Sequence, residues 1–145
     1  MNPPWLDDIK QHVGDSEANA LPEIIGFIEE VDPHINYRVA WCAAAVGHFL
    51  RKAGYPGSGS LAAVSYLKWG MGIPEAIPGC VCVFIGLAGP GEHHVTFMDD
   101  DQSGTDDDTI ACVGGNQSHR IKRSIYPLAC VMDGGFRMPK GYKEA

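Results

Sequence analysis

The sequence predicts a single α+β domain in which helices come first along the chain and a mostly antiparallel sheet follows. Up to about residue 70, apolar residues repeat with a helical period. Beyond Gly70, short apolar or alternating runs are separated by turn-rich segments, as in a sheet of about five strands. Helices followed by strands favour an α+β arrangement. We expect residues 1–145 to form one domain with its own core, because the sequence contains neither a repeat nor a linker.

The sequence predicts two further helices before and after the central one, a first helix at the N-terminus, and five strands. The first helix is expected to start at Pro4, with Trp5, Ile9 and Val13 forming one apolar stripe. The other predicted elements are helices over residues 22–31 and 61–67, and strands near residues 80–86, 93–98, 109–113, 119–126 and 129–137.

The helix that begins at Cys42 has the most informative pattern. Apolar or small residues follow Cys42 at offsets of three, four, seven, eight and eleven, and Gly54 and Pro56 end the helix. Unpaired N–H groups and the dipole at a helix N-terminus favour a thiolate, so we expect a lowered pKa for the Cys42 thiol. Cys42 is therefore the predicted nucleophile.

A base and an orienting group occur later in the chain. His94 alternates with Val95 and Phe97, which places it on the opposite face of a strand from these apolar residues. A Gly-Gly turn then presents Asn116, with Gln117 as the alternative amide. Cysteine, histidine and asparagine in this order are typical of papain-like enzymes, in which the imidazole takes the thiol proton and the amide fixes its tautomer.

Three further residues are predicted near the nucleophile. Trp41 is expected to form a wall of the groove, and Tyr37 is a candidate second donor to an oxyanion, beside the backbone N–H of Cys42. His93 is the alternative base, because strand alternation alone does not separate it from His94.

Charge and composition restrict the partners. The net charge is −7 and no cluster of Lys or Arg occurs, which argues against nucleic acid and anionic membranes. No apolar run approaches the length of a membrane span. The N-terminus lacks the pattern of a secretory signal, so we expect synthesis in the cytoplasm and delivery or release by another route.

Five cysteines and an aspartate-rich segment have alternative interpretations. An odd number of cysteines without a signal peptide predicts free thiols, although Cys80 and Cys82 could join a zinc site. Six aspartates lie between residues 99 and 108. Their opening resembles a calcium loop, but Ile110 stands at the position of the bidentate glutamate. This segment is either a solvated hairpin tip or a weak calcium site.

The chain resembles the CHAP-like and NlpC/P60-like cell-wall hydrolases. The resemblance lies in Trp-Cys-Ala-Ala at 41–44, His-Val at 94–95 and Gly-Gly-Asn-Gln at 114–117. It implies a papain-like fold, no cofactor or metal, and cleavage of an amide bond in the stem peptide or cross-bridge of peptidoglycan. It also favours His94 over His93 as the base.

The resemblance further implies a bacteriolytic protein of the phage-lysin or effector type. Such a protein acts as an N-acetylmuramoyl-L-alanine amidase or an endopeptidase in the periplasm or cell wall. Its partners are peptidoglycan and, for an effector, an immunity or inhibitor protein. Two alternatives are a papain-like toxin that deamidates or cleaves a protein, and a wall-binding module without activity.

Overall fold

The computed structural model describes residues 1–35 and 39–143, and over these the fold is α+β. Six strands form one sheet in which all neighbouring strands are antiparallel. The predicted α+β class with an antiparallel sheet is therefore confirmed. The helices are α1 (Pro4–Lys10), α2 (Leu21–Glu29) and α3 (Cys42–Lys52), with 3-10 helices at Ala63–Lys68 and Leu128–Cys130. The strands are β1 (Met71–Gly72), β2 (Val81–Ile85), β3 (His93–Met98), β4 (Thr109–Gly114), β5 (Lys122–Pro127) and β6 (Val131–Met138). Their order in the sheet is β1-β6-β2-β3-β4-β5.

Three elements differ from the predicted ones. α1 ends three residues before Val13, whose side chain is 49% exposed and does not extend the apolar stripe. The helix expected at 61–67 is a 3-10 helix over Ala63–Lys68. β1 was not predicted, because two residues are too short to show an alternating pattern; it pairs with the end of β6.

Helix α3 is buried on almost every side. Its small residues, among them Ala43, Ala44 and Ala45, are fully buried, and Phe49 and Leu50 are buried as well. Because alanine side chains are short, α3 packs closely against its neighbours, which are α1, α2, β3 and β4. This packing brings the N-terminus of α3 to strand β3.

Strand β3 is covered on both faces. Val95, Thr96 and Phe97 are consecutive and all three are fully buried. Successive side chains of β3 therefore point to opposite faces of the sheet, but both faces are buried at these positions. The hydroxyl of Thr96 must find a hydrogen-bond partner inside the protein, and that requirement shapes the site described below.

The segment after α1 is tied to the loop that follows β4. The backbone N–H of Ile121 donates to the carbonyl of Asp15 at 2.8 Å, and the N–H of Gly14 donates to the carbonyl of Ile121 at 2.9 Å. The N–H of Glu17 donates to the carbonyl of His119 at 3.0 Å. The N-terminal segment thus holds the loop over residues 115–120 from outside.

The aspartate-rich segment is organised by two ion pairs of one buried carboxylate, that of Asp99. Asp99 is 1% exposed; its Oδ1 lacks a well-aligned hydrogen-bond donor but lies 2.8 Å from Lys10 Nζ, and its Oδ2 accepts from Arg123 Nε at 3.1 Å. Arg123 also donates to the carbonyls of Asp101 and Ser103. The guanidinium therefore links the buried carboxylate of Asp99 to the backbone of the loop.

No helix within the described part of the chain has both the length and the apolar character needed to cross a bilayer.

Candidate active site

Cys42 and His94 line the same cleft, which has a volume of about 280 Å³. Cys42 comes from the first turn of α3, His94 from the start of β3, and the floor is completed by the loop after β4 and by β5. The described residues that line the cleft are Ala40, Cys42, Leu87, Ala88, Glu92, His93, His94, Asn116, Gln117, Ser118 and Tyr126.

The Cys42 thiol is 4% exposed, and burial raises its pKa above the ordinary 9.0. The backbone N–H groups of Val95, Ala43 and Cys42 itself act in the opposite direction, because they stabilise a thiolate. Desolvation is the larger effect. The expectation that the helix N-terminus gives Cys42 a lowered pKa is therefore wrong for the free protein.

The His94 imidazole is held by a single side-chain amide. Its Nε2 lies 3.1 Å from Gln117 Oε1. Burial lowers the pKa of His94 below the ordinary 6.5, and the hydrogen bond to Gln117 offsets only part of this effect. A raised thiol pKa and a lowered imidazole pKa both favour a resting pair of neutral thiol and neutral imidazole.

The orientation of the Gln117 amide determines the tautomer of His94. Gln117 Nε2 donates to the carbonyl of Lys122 at 2.7 Å, so Oε1 points towards His94. The buried Thr96 hydroxyl donates to the same Oε1 at 2.8 Å. Since Oε1 can only accept, His94 Nε2 must carry the hydrogen, and Nδ1 carries the lone pair. An imidazole in this tautomer can accept a proton at Nδ1.

Asn116 has a different place from the predicted one. It lines the cleft, but the amide that hydrogen-bonds the His94 ring belongs to Gln117. Asn116 lies in the left-handed backbone region with a φ of 55°, and Ser118 and His119 do so as well, at 57° and 61°. Non-glycine residues rarely adopt this conformation, and three in one loop indicate a backbone held under constraint.

The Gly-Gly pair before this loop is required by close packing. A Cβ at Gly114 would collide with Thr96 Oγ1 and lie 2.9 Å from Gln117 Oε1. A Cβ at Gly115 would lie 2.6 Å from the ring of Trp41 and 2.7 Å from the side chain of Ala45. The absence of side chains at Gly114 and Gly115 thus lets the Thr96 and Gln117 side chains pack against one glycine and the start of α3 against the other.

The remaining predicted site residues occupy separate positions. Trp41 is 2% exposed, packs on Gly115 behind the cleft and donates through Nε1 to Glu17 Oε2 at 3.2 Å, so it supports the wall from the inside. His93 lines the cleft and is exposed. Tyr37, the predicted second oxyanion donor, lies outside the described residues.

Tyr126 is a cleft residue that sequence reasoning missed. Its ring packs edge-on against His94, with ring centroids 5.7 Å apart. It also contacts the ring of Phe84 in a tilted arrangement, with centroids 5.2 Å apart. Burial raises the pKa of its hydroxyl to about 12, so the group remains a hydrogen-bond donor through the neutral range. No sequence signal pointed to it, because a tyrosine in a strand is common and its contact with His94 joins residues that are far apart in the chain.

The thiols of Cys80 and Cys82 lie side by side in the core. Cys80 Sγ and Cys82 Sγ are 3.7 Å apart and fully buried. The neighbouring thiol raises the pKa of Cys80 well above its ordinary value, and burial does the same for Cys82. Over residues 1–35 and 39–143, no three His, Cys, Asp or Glu side chains are grouped in a way that would hold a metal ion. These thiols behave as small buried apolar groups.

Comparison with protein-family models, curated proteins and solved structures finds no match to this chain.

Proposed function

We propose that the protein is a cysteine amidohydrolase that cleaves an amide bond of peptidoglycan, with Cys42 as nucleophile and His94 as general base. The observation that carries the proposal is the hydrogen bond between His94 Nε2 and Gln117 Oε1, in a cleft that also contains the Cys42 thiol. A thiol, a neutral imidazole and an amide that fixes the imidazole tautomer are the parts of a thiol hydrolase. The substrate class comes from the sequence resemblance.

In the proposed reaction, Cys42 Sγ attacks the amide carbonyl while His94 Nδ1 takes the thiol proton. The carbonyl oxygen becomes an oxyanion, for which the backbone N–H of Cys42 at the start of α3 is a suitable donor. The imidazolium then gives its proton to the leaving amine nitrogen, and the C–N bond breaks to leave a thioester. Water, deprotonated by His94, hydrolyses the thioester and restores the free thiol.

The proposed architecture is papain-like. An α-helix that begins with the nucleophile packs against an antiparallel sheet, and the base stands on β3, the strand that this helix contacts. The orienting amide follows β4, the next strand in the sheet. In this proposal Gln117 takes the role that the sequence assigned to Asn116, and the enzyme is delivered to the periplasm or cell wall.

Digestion of purified sacculi of several wall chemotypes, followed by muropeptide mass spectrometry, tests this proposal. The wild type should release fragments whose masses identify a single type of cleaved amide, either the muramoyl–alanine bond or a peptide bond. Cys42→Ala should release none. Identical release by both proteins, or no release from any chemotype, would contradict the proposal.

A further inference from the structure

The cleft has an unbalanced charge. Among the described residues that line it, Glu92 is the one with a permanent charge, and neither Lys nor Arg is among them. The side chain of Glu92 is exposed and makes no hydrogen bond or ion pair with the described part of the chain. A carboxylate without a counter-ion at the rim of a cleft favours a cationic ligand and disfavours an anionic one.

The position of Glu92 is fixed by the turn between β2 and β3. The backbone N–H of Gly86 donates to the carbonyl of Glu92 at 2.8 Å, and the N–H of Glu92 donates to the carbonyl of Gly89 at 3.2 Å. Glu92 immediately precedes β3 and lies two residues from His94. The backbone of Glu92 is therefore fixed at the start of β3, and its side chain lines the same cleft as Cys42 and His94.

The same turn supplies an apolar surface. Leu87 and Ala88 line the cleft together with Glu92. An aliphatic chain can lie against these two side chains while a charged group at its end reaches the carboxylate. A primary ammonium on an aliphatic stem, as in a lysine-like or other diamino side chain, combines both properties.

We propose that Glu92, Leu87 and Ala88 form a subsite that binds a primary ammonium on an aliphatic stem, so that the preferred substrate carries a diamino residue close to the amide that is cleaved. This inference rests on the proposed function for the bond that is broken, but the subsite itself is defined by binding. A free carboxylate at this point of the substrate would be repelled by Glu92.

The test measures binding separately from turnover. Wild-type protein and Glu92→Gln are titrated with Nα-acetyl-lysine methylamide and with the same compound acetylated at Nε, and binding is followed by NMR. The wild type should prefer the free ammonium by about threefold or more, the scale of an exposed ion pair, and high salt should reduce the preference. Glu92→Gln should bind both compounds equally.

Asp107→Asn is the matched control, because it removes the same charge from an exposed aspartate in the segment that links the far ends of β3 and β4. This variant should keep the wild-type preference. Equal binding of both compounds by the wild type, or an unchanged preference in Glu92→Gln, would overturn the subsite. If the preference holds and sacculi are not cleaved, the proposed function fails and the ammonium subsite stands.

Discussion

Gln117 determines which nitrogen of His94 can act as a base. Its Oε1 accepts from both Thr96 Oγ1 and His94 Nε2, and its Nε2 is engaged by the carbonyl of Lys122. With all these contacts made inside the protein, the amide cannot rotate without losing a buried hydrogen bond, which costs about 1 kcal/mol or more. The base nitrogen is therefore Nδ1.

The two neighbouring amides can be separated experimentally. Gln117→Ala should lower kcat/KM for muropeptide cleavage on the order of a hundredfold, since the imidazole loses the partner that fixes its tautomer and direction. Asn116→Gly should retain most activity, because glycine adopts the required φ of 55° without strain. Initial rates measured on soluble muropeptides check both. A larger loss in Asn116→Gly than in Gln117→Ala would return the orienting role to Asn116.

The pH dependence of activity follows from the two shifted pKa values. The His94 pKa is lowered, so the neutral base persists below pH 6.5 and activity should be lost only as pH falls through that lowered pKa. The Cys42 pKa is raised, so the thiol keeps its proton until the pH exceeds 9.0. The plot of kcat/KM against pH should therefore be a broad bell, with its acid limb below pH 6.5 and its alkaline limb above pH 9.0.

The same shifts predict that no thiolate is present at rest in neutral solution. Ultraviolet difference spectra between the wild type and Cys42→Ala should lack a thiolate band at neutral pH and gain one only in alkaline solution. A thiolate band at neutral pH, removed by His94→Ala, would instead demonstrate a resting thiolate–imidazolium pair and contradict a neutral thiol and imidazole.

Sequence alone identified the pair of amides but could not assign their roles. Asn116 and Gln117 follow the same Gly-Gly turn, and only the backbone conformation decides which side chain turns inwards. Asparagine tolerates the left-handed region better than most residues, so it suits the backbone position, while the longer glutamine side chain reaches His94. This difference between the two residue types is a signal that could have favoured Gln117.

At the scale of elements, the turn after β4 joins the nucleophile helix to the imidazole. Gly115 meets Trp41 and Ala45 at the start of α3, and Gly114 meets the Thr96 and Gln117 side chains. The turn is therefore packed from both sides, with no room for a methyl group. A change here should disturb α3 and the amide network together.

Gly115→Ala tests this close packing. The added methyl group should lower the free energy of unfolding by about 1–3 kcal/mol, because the ring of Trp41 and the side chain of Ala45 are both buried, and activity should fall with it. Gly26→Ala in α2 is the matched control, since its Cβ would meet no atom within 4 Å and should leave stability unchanged or higher. Denaturant unfolding measures both. A neutral Gly115→Ala would contradict the packing argument.

The elements differ in how well the sequence predicts them. α3 was predictable because its pattern is long and its end is marked by Gly54. The face of β3 that bears His94 and Thr96 could not be assigned as buried, because a polar residue in an alternating strand normally faces solvent. Thr96 is buried because its hydroxyl has a partner in Gln117, a contact made between residues far apart in sequence.

At the scale of the whole molecule, α1 and the sheet are joined through one buried carboxylate. Asp99 lies directly after β3, Lys10 closes α1 and Arg123 lies in β5, so the two ion pairs connect three elements. The sequence marked Asp99 as part of a solvated acidic tip or calcium loop. Its burial depends on two cations distant in sequence, which a local pattern cannot reveal.

Removing this charge should destabilise the fold. Asp99→Asn leaves Lys10 and Arg123 without their shared counter-charge, and we expect a loss of about 1–3 kcal/mol, moderated because both cations are partly exposed. Asp107→Asn, which carries the same change at an exposed position, should alter stability by no more than about 0.5 kcal/mol. Chemical denaturation provides both values. Equal effects would argue against a stabilising role for the ion pairs.

The role of Cys42 as the nucleophile is tested most directly by a comparison of two cysteine variants. Cys130 is partly buried and does not line the cleft, so Cys130→Ala is the matched control for Cys42→Ala. With both variants shown to be folded by circular dichroism, the rate of muropeptide release from sacculi is measured against the wild type. Cys130→Ala should release muropeptides at the wild-type rate, and Cys42→Ala should release none. Undiminished release by Cys42→Ala would contradict the role of Cys42 as the nucleophile.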